Sequence, residues 1–404
     1  MRHRSKDIVA DIQAFNRERD PERLQLKYQA MRRDAFGFLR GSCHLFYQDW
    51  SLGTPPDEKS PCAWICGDLH FENFGSYKGD NRLSYFDVND FDEAALAPCS
   101  WELARFLTSV LVGTETLGLD HSKARDLCER FLDAYGAALR EGKSRWIERA
   151  TAKGMVKDLL KTLKRRSHAD FIRGRTDWRH GRGKLVIDGR KTLAASADAR
   201  AKVIRAMGHW ASEQEHPRSF EVLDVARRIA GTSSLGLERY VILARGQGAP
   251  EGCYLLDLKH QPGSVLRPFL KQEQPVWPTE ADRVIAIQRR AQAIAPAFLS
   301  VLVIDGRSYV LRELMPTQDR LSLKHWHGKF GRMAKVMRSM GELVAWSHLR
   351  SGGRQGSATA DEWIEFGSRS DWQRPWFDYA ADYSRQALED WRRFAEAFEE
   401  GGLV

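Results

Sequence analysis

Residues 67–75 read Gly67-Asp68-Leu69-His70-Phe71-Glu72-Asn73-Phe74-Gly75, and residues 87–93 follow as Asp87-Val88-Asn89-Asp90-Phe91-Asp92-Glu93. An aspartate, an asparagine five positions on and a downstream acidic cluster together suit phosphoryl transfer. That chemistry asks a protein for positioned charge and little covalent work. Asp68 is the candidate catalytic base, or the group that orients an incoming hydroxyl. Asn73 and Asp90, with Asp92 as a second carboxylate, are candidate ligands for Mg2+, a hard cation that takes oxygen donors and keeps places for phosphates. His70 either meets the acceptor or holds the loop through a hydrogen bond. Taken singly, each segment also reads as Asp and Asn capping turns; their succession argues for a site.

The elements around these residues are legible from pattern. Gly67 and Gly75 permit sharp turns at both ends of the loop. Ser76-Tyr77-Lys78 and Leu83-Ser84-Tyr85-Phe86 flank Gly79-Asp80-Asn81, which predicts a hairpin that returns Asp90 toward Asn73. Asp87 supports that hairpin in the alternative reading. Cys62-Ala63-Trp64-Ile65-Cys66 is a short strand that delivers the chain to the loop. Helical patterning covers residues 7–50, with Ser51 to Pro61 a polar loop; helices are also expected after Pro98 and over 122–141.

The loop resembles the catalytic loop of aminoglycoside phosphotransferases and choline kinases, which often reads His-Gly-Asp-Leu-His, two residues, then Asn. Here Cys66 replaces the first histidine. More closely, the chain resembles a bacterial family, domain of unknown function 2252, grouped with kinase-like folds. The shared strings are Phe36-Gly37-Phe38-Leu39-Arg40-Gly41, the two acidic segments above, Trp101-Glu102-Leu103-Ala104-Arg105-Phe106 and Gly231-Thr232-Ser233-Ser234-Leu235-Gly236. Glu102 stands where that family more often carries Asp. Arg40 would neutralise an anionic group or brace the loop. The resemblance implies a kinase-like reaction class and names no substrate.

From about residue 220 the pattern turns to strands. Val222 to Ala230, a glycine turn, Arg239 to Leu243 and Cys253 to Lys259 are followed by a helix over 279–295. Two further strands meet at Asp305-Gly306. This is the order of a kinase small lobe. Gly231, Ser233, Ser234 and Gly236 would put backbone N–H groups over the phosphates of ATP, and Lys259 would contact them. The helix would hold that lysine through Glu280 or Gln288, with Glu273 a third candidate. Alone, such a glycine turn is any surface turn and a strand ending in lysine is one reaching solvent; the succession carries the reading.

The small-lobe pattern follows the catalytic loop instead of preceding it. The expected fold is therefore α+β, a two-lobed protein-kinase-like fold in circular permutation. Residues 1–217 form large-lobe sequence with the loop and metal site, 218–320 the nucleotide-binding small lobe, and 321–404 helices completing the large lobe. Residues 341–349 would be the helix that leads into the loop, and 375–399 a final helix. Chain termini often lie close together, so permutation is tolerable. The alternative is two unrelated domains.

A chain of 404 residues is long for one core and natural for two lobes. Apolar content of 42% without a run near the roughly 20 residues a membrane span needs excludes a helical membrane protein. The charged start lacks a signal-peptide core, so a cytoplasmic protein without a membrane partner is expected. Six scattered cysteines read as reduced thiols, and His325-Trp326-His327 as a solvated loop. The net charge of +9 concentrates over residues 161–191, a segment that either binds phosphates, of nucleic acid or of an anionic ligand, or is a solvated face. An ATP- and Mg2+-dependent phosphotransferase acting on a hydroxyl-bearing acceptor is the first reading. A metal-dependent phosphoesterase, an AMP (nucleotidyl) transferase and a non-catalytic nucleic-acid-binding protein are the rivals.

Overall fold

The computed structural model describes residues 7–53, 55–56, 60–315 and 320–403, the side chain of Arg165 aside. The charged start and part of the expected loop over 51–61 lie outside the described residues. The fold is mixed α+β, with antiparallel sheets and a larger helical body.

The hairpin around the loop forms as its turn residues dictate. Strands Phe74–Lys78 and Ser84–Val88 pair antiparallel, Phe74 opposite Val88. The turn closes because Asn81 Oδ1 accepts from the Leu83 amide at 3.1 Å and Arg82 adopts φ 66°. Cys62–Ile65 is a strand as expected, but it pairs with Ala95–Pro98, whose small residues gave no strand signal.

Ser100–Val112 is buried along its whole length, because it is surrounded by other elements of the large core. Gln373–Glu399 and His121–Glu141 pack on it, and Phe330–Ser351 packs on His121–Glu141. His121–Glu141 starts where Asp120 caps the Lys123 amide at 2.8 Å and ends at Gly142 in the left-handed region. Burying aromatic side chains such as Trp50, Trp64 and Trp376 in this core contributes about 2 kcal/mol each.

The second layer is a six-stranded antiparallel sheet in the order Ser300–Ile304, Arg307–Glu313, Tyr254–His260, Arg239–Ala244, Val222–Arg228, Thr192–Ala194. Alternation sorts its side chains. Tyr240, Ile242, Leu256, Leu258 and Leu311 pack against Val203, Met207 and Trp210 of the helix Ala197–Ser212. Opposite side chains share a face in antiparallel pairs, so the pairings of Asp257 with Val241 and Arg312, and of Lys259 with Arg239 and Val310, define a second face. That face carries charge.

The basic segment does not form a single surface stripe. Part of it folds into a hairpin, Thr176–Arg179 with Arg182–Leu185. Ile172 and Leu185 bury against Ala226, Val241 and Leu255 of the sheet.

Candidate active site

Asp68 is held before anything binds. It follows the strand Cys62–Ile65 and the turn at Gly67, whose φ is 86° and whose missing Cβ would lie 2.3 Å from the Glu93 carbonyl oxygen. Only glycine fits there. The Asp68 Oδ1 atom accepts from Arg105 Nε at 3.0 Å and Nη2 at 2.9 Å. Arg105 is fully buried, with Nη2 also donating to the Leu39 carbonyl at 2.6 Å. Burial would lower its pKa, yet Asp68, together with Cys43 and Tyr47, outweighs burial and raises it.

The start of the loop is tied to distant helices. Glu102 Oε2 accepts from the Cys66 amide at 2.8 Å, and its Oε1 meets His348 Nε2 at 2.6 Å. His348 Nδ1 in turn meets Tyr135 Oη at 2.9 Å. The Tyr47 hydroxyl donates to the Gly67 carbonyl. Glu72 pairs with Arg40 at 2.5 Å. His70 is buried; its Nδ1 accepts from the Glu72 amide at 3.2 Å and its ring meets Phe36 edge-on. Burial, then the charges of Arg40 and Arg105, push its pKa well down. A neutral, loop-holding imidazole results.

Asn73 and the acidic segment come together through the hairpin. The Asn73 side-chain nitrogen donates to the Asp68 carbonyl, which leaves its amide oxygen for a cation. The Asn89 amide donates to the Asn73 carbonyl at 2.9 Å, so Asp90 follows directly beside Asn73. Among the described residues, no hydrogen bond or ion pair engages the Asp90 carboxylate. Burial and the neighbouring Asp92 raise its pKa, against Lys259 and Arg312. Asp92 behaves oppositely: burial opposes its charge, but Lys259 and Gln261 outweigh burial and lower its pKa.

Lys259 reaches Asp92 as an ion pair, and Gln261 Nε2 donates to the other Asp92 oxygen at 3.1 Å. Gln261 Oε1 is buried without a partner. Asp90, Asp92, Lys259, Gln261, Gln288 and Arg312 line a space of about 10 Å³, room for about one water. Gln288 thus lines the same space as Lys259, its Nε2 donating to Gln292 Oε1 at 3.0 Å, while Glu280 pairs with Arg283 at 2.7 Å and Arg267 at 3.4 Å. Glu273 is exposed.

Gly231, Ser233, Ser234 and Gly236 lie in the connection between Val222–Arg228 and Arg239–Ala244, with Gly231 and Gly236 at φ 78° and 91°. Ser234 Oγ donates to the Ala230 carbonyl at 3.3 Å. The Ser233 and Leu235 carbonyls accept from Arg19.

Several charged residues of this region carried no role in the sequence reading. Asp257 is surrounded by Arg228, Arg239 and Arg312; burial opposes its charge, but the arginines outweigh it and hold its pKa far down. Period-two spacing in Tyr254-Leu255-Leu256-Asp257-Leu258-Lys259 already put Asp257 on the face of Lys259. Glu93 accepts from the Val265 amide at 2.7 Å, and burial pushes its pKa up to about 7. No local signal marked Arg105.

A groove of about 1320 Å³ between His121–Glu141 and Phe330–Ser351 contains none of these residues. Among the described residues no three His, Cys, Asp or Glu side chains form a metal cage, and no helix is long and apolar enough to cross a membrane.

Residues 19–397 match the family described as "Uncharacterized protein conserved in bacteria (DUF2252)". The chain belongs to that family. No curated protein and no solved structure matches it.

Proposed function

We infer that this protein is an ATP- and Mg2+-dependent phosphotransferase of kinase-like, circularly permuted architecture, acting on a hydroxyl-bearing acceptor. The observation that carries the reading is that Asn73, hydrogen-bonded to the Asp68 carbonyl and to the Asn89 amide, stands beside Asp90, whose side chain lines the same small space as Lys259. The order of strands, helix Glu280–Ala291 and strands in the six-stranded layer supports the small-lobe assignment to residues 218–320. Two contacts support permutation. His348 of Phe330–Ser351 reaches the loop through Glu102, and the Ala358 amide donates to the Cys62 carbonyl at 2.8 Å. The helical parts before the hairpin Thr176–Arg179 and Arg182–Leu185 would then form one large lobe with 321–404, while Thr192–Ala194 and the helix Ala197–Ser212 join the sheet layer.

The oxygen set fits magnesium. The Asn73 amide oxygen, the unengaged Asp90 carboxylate, Asp92 and the orphaned Gln261 Oε1 are all hard donors. A small number of carboxylates without a closed cage is the usual protein share of a site completed by phosphates. When bound, the ion would neutralise charge on the transferring phosphate. Asp68 would orient the acceptor hydroxyl and take its proton through the carboxylate oxygen that Arg105 leaves free. Lys259 would exchange Asp92 for a phosphate oxygen. Nucleotide entry requires the sheet and the acidic segment to part, since the space between them is only about one water in size. Binding of ATP with and without magnesium tests the reading.

One observation favours a second reading. Two N–H groups of buried Arg105 both engage Asp68 Oδ1, a holding contact that suits nucleotidyl transfer, where Asp68 is less decisive. ATP labelled on the α- or γ-phosphate separates the two by which label reaches the acceptor.

A further inference from the structure

Two cations of the N-terminal region, Lys27 on a helix and Arg19 in the turn before it, meet the glycine-containing connection, and among the described residues neither forms an ion pair. Lys27, in the helix Pro21–Arg32, is completely buried. Its Nζ meets Asn16 Oδ1 at 3.0 Å and the Ser233 carbonyl at 3.4 Å. Arg19 Nη1 donates to the carbonyls of Ser233 and Leu235 at 2.5 and 2.7 Å. Both face the Phe15 ring, at 5.5 Å for Arg19 and 5.6 Å for Lys27. Every one of these partners is neutral.

Burying a cation against neutral acceptors alone is unfavourable, and two together repel. The arrangement is nonetheless built in. The Asp20 amide donates to the Gly236 carbonyl at 3.2 Å, Asp20 pairs with Arg227 at 3.2 Å, and Arg23 Nη1 reaches the Leu237 carbonyl at 2.6 Å. Gly236 has φ 91°, and a Cβ there would lie 2.7 Å from Arg19 Cβ. The acids whose fields reach Lys27 are Glu93 and Asp68, and those reaching Arg19 are Glu93 and Asp92. The two cations therefore touch the glycine-containing connection and lie within electrostatic reach of the catalytic and acidic segments.

We propose that Lys27 and Arg19 form an anion seat that takes the terminal phosphate of the bound nucleotide. The seat rests on the nucleotide reading above and adds to it phosphate-binding residues from outside both the loop and the sheet. Lys259 is held by Asp92; among the described residues Lys27 is held only by neutral oxygens. The turn carbonyls of Ser233 and Leu235 fix the cations from one side, and the phosphate would complete them from the other.

Calorimetric titration of the full chain with ATP, ADP and inorganic tripolyphosphate, in magnesium, tests this on wild type and Lys27→Met. The seat predicts that wild type favours ATP over ADP at least tenfold. Lys27→Met should lose at least tenfold in affinity for ATP and tripolyphosphate, keep its ADP affinity, and melt no lower than wild type. Should Lys27→Met fail to fold, Arg19→Gln carries the same comparison. An unchanged ATP-to-ADP ratio in a folded variant overturns the seat and leaves the nucleotide reading standing. Tripolyphosphate binding that depends on Lys27, without any ATP binding, overturns the nucleotide reading and with it the seat's assignment to a nucleotide's terminal phosphate. Binding of neither probe by wild type overturns both.

Discussion

Lys259, on the charged face of the six-stranded sheet, is ion-paired with Asp92, 167 positions earlier in the chain. This contact links the sheet to the segment that carries the candidate metal ligands. Both side chains are largely buried, at 7% and 22% exposure, so removing one partner strands the other. Lys259→Met should lower unfolding free energy by about 3 kcal/mol. The double variant Lys259→Met/Asp92→Asn should lose less than the sum of the single variants. Denaturant titration measures both, and strict additivity would refute the coupling. The Asp92 pKa lies below its ordinary value, so its share of stability is present above that value and is lost as pH falls through the folded pKa.

Arg105 fixes Asp68, and its guanidinium cannot be replaced by a point charge. Arg105→Met should destabilise by about 3 kcal/mol or more, because it leaves a carboxylate in a site built around a cation. Arg105→Lys should recover only part, since one ammonium cannot reproduce both the Asp68 and Leu39 contacts. Equal stability of Arg105→Met and wild type in urea would contradict this picture.

Gly67 stands where the backbone turns left-handed against the Glu93 carbonyl. Gly67→Ala adds both a strained φ and a clash, so a loss of about 3 kcal/mol is expected. Gly118→Ala is the control: it too is left-handed, at φ 64°, but nothing lies within 4 Å of its added Cβ. Its cost should be near 1 kcal/mol. Melting curves of the two variants check the difference.

Glu93 gives stability a pH dependence of the less common sign. Its folded pKa, about 7, lies above the unfolded value of 4.5 because of burial. The folded state thus holds the proton more tightly, and stability falls as pH rises from about 4.5 to 7 and is level above. Glu93→Gln should remove that fall and gain about 2 kcal/mol over wild type at pH 8, with the gain vanishing toward pH 5. Chemical denaturation across this range decides it; a constant difference between the two proteins would refute the assignment.

What the sequence made legible was local. The hairpin between Asn73 and Asp90 rests on turn residues and alternation within about fifteen positions, and the strand ending at Lys259 on period-two spacing. The partners were not legible, because they come from remote elements. Arg105 reaches Asp68 from a helix, and Arg19 and Lys27 reach Ser233 from more than 200 positions away. Helix rotation hid the choice between Glu280 and Gln288. Eight residues place them roughly 80° apart around the axis, and only packing puts Gln288, not Glu280, on the space that Lys259 lines. The strand Ala95–Pro98 was missed because its small, proline-terminated string carries no strand propensity and is extended by pairing with Cys62–Ile65.

The central claim is a magnesium-dependent nucleotide site at Asp90, and titration of ATP into wild type and Asp90→Ala, with magnesium and with chelator, tests it most directly. The account predicts that wild type binds ATP at least tenfold more tightly with magnesium, and that Asp90→Ala loses this dependence while remaining folded. Wild type that binds no ATP, or an Asp90→Ala protein with the same magnesium dependence as wild type, would contradict it.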